Sequence, residues 1–106
     1  MYILHELLFS NHSDVRYIAD MHNWYIFPIF NPDGYAYSFT TDRLWKKTRK
    51  PSSPNCNGSD PDRNWGFHWN STGVSKNPCA EDYPGESPFS EIEMKTMSDF
   101  IRPLHF

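Results

Sequence analysis

The sequence predicts an α/β chain, with helices laid against a sheet. Three segments carry that expectation. Tyr2–Phe9 places Ile3, Leu4, Leu7 and Leu8 at helical spacing. Residues 24–30 form a continuous run of aromatic and β-branched side chains, the pattern of a strand in a sheet covered on both faces. After Ser90, the side chains of Ile92, Met97, Phe100 and Ile101 supply one apolar helical face.

Taken in order, Tyr2–Phe9 reads as the tail of a buried helix, and Ser10-Asn11-His12-Ser13 breaks it. Ser13 or Asp14 is expected to cap a short second helix running to Met21, with Val15, Ile18 and Met21 turned inward. Pro28 ends or bulges the strand that follows. Asn31-Pro32-Asp33-Gly34 is a turn, because proline sets φ and glycine accepts a positive one. Residues 38–85 show little periodicity and read as long ordered loops, which often carry function. Ser90, with Glu93 three residues on, makes a capping box, and Phe89 with Met94 makes its hydrophobic staple. Pro103 stops this last helix. No internal repeat and no domain boundary is visible.

A chain of 106 residues is at most one domain. Its 4 Trp, 6 Tyr and 8 Phe argue against disorder, and its 9 Pro fit a loop-rich body. The net charge of -3 argues against a nucleic-acid partner. The cations Arg43, Lys46, Lys47, Arg49 and Lys50, read alone, are a solvated basic face. Cys56 and Cys79 form the one possible pair, and a bridge there restricts the unfolded chain by about 3 kcal/mol. Asn11-His12-Ser13, Asn57-Gly58-Ser59 and Asn70-Ser71-Thr72 are glycosylation sequons, and three beside a disulfide point to an extracellular chain. The segment from Met1 to Glu6 is no signal peptide, so the true N-terminus is expected upstream. No segment is long enough to span a membrane.

Short motifs then follow one another in a telling order: Asn31-Pro32-Asp33-Gly34-Tyr35, Arg43-Leu44-Trp45-Lys46-Lys47-Thr48-Arg49, Cys56, Asp60-Pro61-Asp62-Arg63-Asn64-Trp65, Pro78-Cys79 and Tyr83-Pro84-Gly85. In this order and spacing they resemble the zinc metallocarboxypeptidases of the carboxypeptidase A/B type, over residues 25–101 with weaker similarity before. The resemblance implies a mixed sheet with helices on both faces, of which residues 1–106 are an internal piece, roughly the middle third of the catalytic domain. It also implies zinc as cofactor and peptides with a free C-terminal carboxylate as substrates.

Residue by residue, the resemblance assigns roles. Arg63 would grip the substrate carboxylate with its planar fork, together with Asp62. The family usually has Asn where Asp62 stands, and an anion there should repel the substrate carboxylate. Lys46 takes the position of an arginine that steadies the oxyanion; it keeps the charge and loses the fork. Arg43 would help line the substrate cleft. Asp60 matches a carboxylate that orients a zinc-bound histidine from behind. Cys56 and Cys79 match a family disulfide.

The family's His-x-x-Glu zinc motif is not present, and His5, His12, His22, His68 and His105 form no spaced ligand set. The general-base glutamate of the family would lie beyond Phe106. This chain alone is therefore expected neither to bind catalytic zinc nor to cleave peptides, and it is not expected to fold alone, since the apolar run at 24–30 lacks cover. Two other readings stand beside this one. One is a non-catalytic secreted module that binds peptide C-termini through Arg63. The other is a glycoprotein domain with a sugar-stacking surface of Trp65, Phe67 and Trp69.

Overall fold

The computed structural model describes residues 2–104. Four helices follow in chain order: α1 (Tyr2–Phe9), α2 (Ser13–Met21), α3 (Pro32–Thr40) and α4 (Ile92–Ile101). Between α3 and α4 the chain is mostly loop. A small antiparallel pair, β1 (Pro51–Ser53) with β2 (Cys56–Asn57), interrupts it, as does one 3-10 turn, Pro61–Arg63. Helices with a small sheet place the chain in the α/β class.

The spans expected for α1 and α2 are the observed ones, but their settings differ. No side chain of α1 is buried. His12, not Ser13 or Asp14, takes the N-cap position of α2, and its side chain makes no cap bond. Ile18 and Met21 face solvent rather than a core. An amphipathic helix forms its spacing whether or not a partner covers it, so periodicity predicts the helix and not its burial.

The segment expected to be a turn opens α3 instead. Asn31 sits at the N-cap and its side-chain oxygen accepts the Gly34 N–H at 3.0 Å, while Pro32 occupies the first helical position. Turns and helix starts use the same residues, and here the helix continues to Thr40. A side chain at Gly34 would meet the Lys47 carbonyl oxygen at 2.6 Å, so this helix start packs directly on the loop that follows.

Residues 24–30 are not a strand. They have no regular structure, and Trp24, Tyr25, Ile26, Phe27 and Ile29 are all exposed. A strand needs a neighbour whose backbone groups are free, and the element beside this one is a helix. Phe100 of α4 stands edge-on to Tyr25 and Phe27, with ring centroids 5.8 and 5.5 Å apart. The two segments bound an apolar depression of about 570 Å³.

The capping box at Ser90 is also absent. Glu91 takes the N-cap position of α4 without a side-chain cap bond. Ser90 instead donates from Oγ to the Glu91 carboxylate at 3.1 Å and accepts from Asn64 Nδ2 at 2.8 Å. Phe89 packs edge-on against Trp65 at 5.8 Å, away from the expected staple. Met94 is fully buried under this corner.

Candidate functional site

The centre of the loop region is polar and buried. Lys47, Thr48, Ser59, Asp60, Asn64 and Glu91 are all withdrawn from water. Such groups are tolerated only when paired, and here they pair with one another and with loop backbone. Thr48 donates its hydroxyl to the Glu91 carboxylate, and its oxygen accepts the Ser59 N–H at 3.0 Å. Asn64 donates from Nδ2 to the carbonyls of Pro84 at 2.7 Å and Ser87 at 3.1 Å, and its Oδ1 accepts the Glu91 N–H at 3.1 Å. These bonds clamp residues 48, 59 and 64 to the loop that leads into α4.

Asp60 is the hub from which the candidate site is built. One carboxylate oxygen accepts the Asp62 N–H at 3.1 Å and starts the 3-10 turn. The other accepts from Lys46 Nζ at 2.8 Å, a salt bridge whose acid is buried and whose base is half exposed. The Asp60 carbonyl accepts the Arg63 N–H at 3.0 Å, and its own N–H donates to Tyr83 O at 2.8 Å. Lys46, Asp60, Asp62 and Arg63 are thereby brought into one cluster. Arg63 closes the turn with its side chain exposed, held between buried Asp60 and buried Asn64. Its guanidinium lies beside the loop at Gly73, where a Cβ would stand 3.9 Å from Nη2. Asp62 is exposed next to it.

Arg43 stands apart from that cluster, on the chain leaving α3, with its guanidinium 5.2 Å from the Phe39 ring centre. Cys56 and Cys79 form the disulfide, which ties the hairpin to the loop before Tyr83.

Two buried or stacked cations escaped the sequence reading. Lys47 is buried and donates from Nζ to Pro78 O at 2.7 Å. Burial lowers its pKa from the usual 10.5, against the opposing pull of Glu81, Asp60, Glu91 and Asp82. Arg49 lies over the rings of Tyr37 and Trp45, at 3.7 and 4.6 Å from their centres. A run of cations reads as a solvated face, and nothing local marks which members turn inward. Glu91 and Asn64 were missed for the same reason, since their partners lie 43 and 27 positions away in sequence or nearby.

The model of the family described as zinc carboxypeptidase matches residues 1–105. The chain belongs to the zinc carboxypeptidase family. It is similar to a zinc carboxypeptidase of Simulium vittatum, 52% identical over 104 residues, covering 97% of this chain and 34% of that protein. It is also similar to zinc carboxypeptidase A 1 of Anopheles gambiae, 50% identical over 103 residues, covering 97% of this chain and 24% of that protein. Among solved structures, thrombin activatable fibrinolysis inhibitor superposes with a TM-score of 0.88 at 32% identity, over 95% of this chain and 26% of that one. The chain thus spans about a third or less of the length of these relatives, and its fold is a portion of the α/β carboxypeptidase fold.

Zinc is the metal of this family, but the residues described here do not fit it as a ligand set. Among them no group of three His, Cys, Asp or Glu side chains converges on one point. His5, His12, His22 and His68 are exposed, and His105 lies outside the described residues. Asp60, the carboxylate nearest to such a role, already holds Lys46 and the Asp62 N–H. Among the described residues no helix is long and apolar enough to cross a membrane. The aromatics of the suggested sugar surface are placed differently from one another. Phe67 is 86% exposed, Trp65 packs on Phe89, and Trp69 turns its indole N–H to Pro84 O at 3.2 Å.

Proposed function

We propose that residues 1–106 supply the substrate-carboxylate wall of a metallocarboxypeptidase, an enzyme that hydrolyses the C-terminal peptide bond of peptides and proteins. One observation carries the proposal. Arg63 presents an exposed guanidinium from a turn whose two flanking residues are buried and fully engaged. A fork held on a rigid base is suited to a bidentate grip on a terminal carboxylate. Asp62 stands beside it and tunes the grip by repulsion. Lys46 is the cation nearest to Asp60, placed to steady a developing oxyanion once its ammonium is drawn away from that carboxylate. Arg43 lines a more distant part of the cleft. Asp60 orients what docks behind the turn.

Zinc would supply the activated water in the complete family enzyme, and of the residues here only Lys46, at the oxyanion position, would act on the reaction itself. By itself this chain is expected not to cleave peptides. The Cys56–Cys79 bridge supports an extracellular, oxidising setting.

The test is titration of the oxidised chain with short peptides, followed by calorimetry or NMR. Peptides with a free C-terminal carboxylate should bind and amidated ones should not. Arg63→Ala should weaken binding about tenfold or more, the effect of losing a charge-assisted fork. Asp62→Asn should tighten it severalfold. Equal affinity for acid and amide peptides would sink the proposal, and chelator-sensitive release of C-terminal residues by this chain would overturn its inactivity.

A further inference from the structure

The structure separates two of the chain's three sequons by their surroundings. Asn70-Ser71-Thr72 is exposed at all three positions. Asn70 has φ 54°, a left-handed turn conformation that asparagine tolerates. The loop is held just before its tip by the Trp69 indole N–H on Pro84 O at 3.2 Å. The acceptor residue is open to solvent in the folded chain.

Asn57-Gly58-Ser59 is the opposite case. Asn57 is half-buried in β2, one residue from the disulfide, and lines a cavity of about 200 Å³ with Tyr37, Trp45 and Arg49. Gly58 has φ 79° and is pressed so closely on the Thr48 carbonyl that a Cβ there would overlap it. Ser59 is 1% exposed, and its N–H and C=O both bond to Thr48. Asn57 shares this partly open cavity with the Tyr37, Trp45 and Arg49 side chains, and their crowding disfavours a branched glycan there.

We propose that Asn70 is an N-glycosylation site of the folded protein and that Asn57, although a sequon, is disfavoured as an acceptor by its crowded setting in the hairpin. The glycan stands on the loop that flanks Arg63, at the rim of the substrate wall. This rests on the extracellular reading above, because only chains that pass through the secretory pathway meet the transferase.

The experiment is site-by-site occupancy mapping of the protein secreted from insect cells. Glycans are released by peptide N-glycosidase in heavy-oxygen water, and the resulting Asn-to-Asp conversions are read by peptide mass spectrometry. Conversion at Asn70 with none at Asn57 is the expected result. An unconverted Asn70, or conversion at Asn57 in the secreted form, overturns the inference. The same digest reports whether Cys56 and Cys79 are bridged, which tests the extracellular reading separately. Asn70→Gln should abolish the Asn70 glycan and leave the disulfide intact.

Discussion

Two halves of this molecule are built on opposite principles. The loop wall, residues 47–64 with 83–94, buries polar groups and satisfies them internally. The flank, α1, α2 and residues 24–30, carries large apolar side chains and leaves most of them in water. Unpaired polar groups are costly when buried, so the wall must be complete in itself to exist. Apolar side chains only lose a gain when left exposed, so the flank holds its local shape without a partner. Its face is an uncovered surface of a fold that continues in the longer relatives.

The comparison breaks most sharply at Asn64. Asn64→Ala removes the two Nδ2 hydrogens shared among Pro84 O, Ser87 O and Ser90 Oγ, and one accepted bond, from a fully buried site. The wall should lose about 3–4 kcal/mol, the cost of leaving several buried groups unsatisfied. Native-state hydrogen exchange at the Thr48, Asp60 and Phe89 amides would read it. A loss below about 1 kcal/mol would mean that the network merely decorates a fold held by other means.

Reducing the disulfide comes next. Cys56 and Cys79 are separated by 23 positions, and opening that loop should cost about 3 kcal/mol. Exchange in the wall should accelerate while α1 and α2, which the bridge does not touch, keep their circular-dichroism signal. Equal acceleration in both halves would show that they unfold as one unit.

How much of this was legible follows the same division. Helical spacing placed α1, α2 and α4, because periodicity is local and survives exposure. Motif order named Arg63, Asp60 and Lys46 together; the 3-10 turn at Pro61 joins Asp60 to Arg63, and the salt bridge to Asp60 adds Lys46. The strand at 24–30 failed because hydrophobicity reports what a segment needs, not whether a neighbour is there to meet it. The turn at Asn31 failed because N-caps and turns share a vocabulary. Glu91 and Lys47 were invisible because charge alone does not show which side chains are paired below the surface. Thr48 and Pro78 supply those partners from distant parts of the chain.

A smaller effect sits on the pH axis. Burial lowers the pKa of Lys47 below 10.5, so between its folded value and 10.5 the unfolded chain binds more protons. Wall stability should therefore rise with pH through that window. Tyr83, whose ring lies 5.7 Å from Lys47 Nζ, has its pKa raised above 10.0 by burial and by Glu86 and Glu91. Above pH 10 the folded chain holds the extra proton, so stability should fall there. Lys47→Met should remove the rise and Tyr83→Phe should remove the fall. A profile left unchanged by both substitutions would show that neither group titrates differently on folding.

The smallest expected effect tests the flank. Ile3 is 68% exposed on α1, and Ile3→Ser should change stability by no more than about 0.5 kcal/mol in this chain. The same substitution placed in a longer protein that covers this face should cost about 2 kcal/mol, the value of burying such a side chain. Thermal unfolding of the two proteins, each with and without the substitution, gives the four numbers needed. Equal costs in both would mean that nothing covers α1 in the longer protein, and the flank would then be a true outer surface.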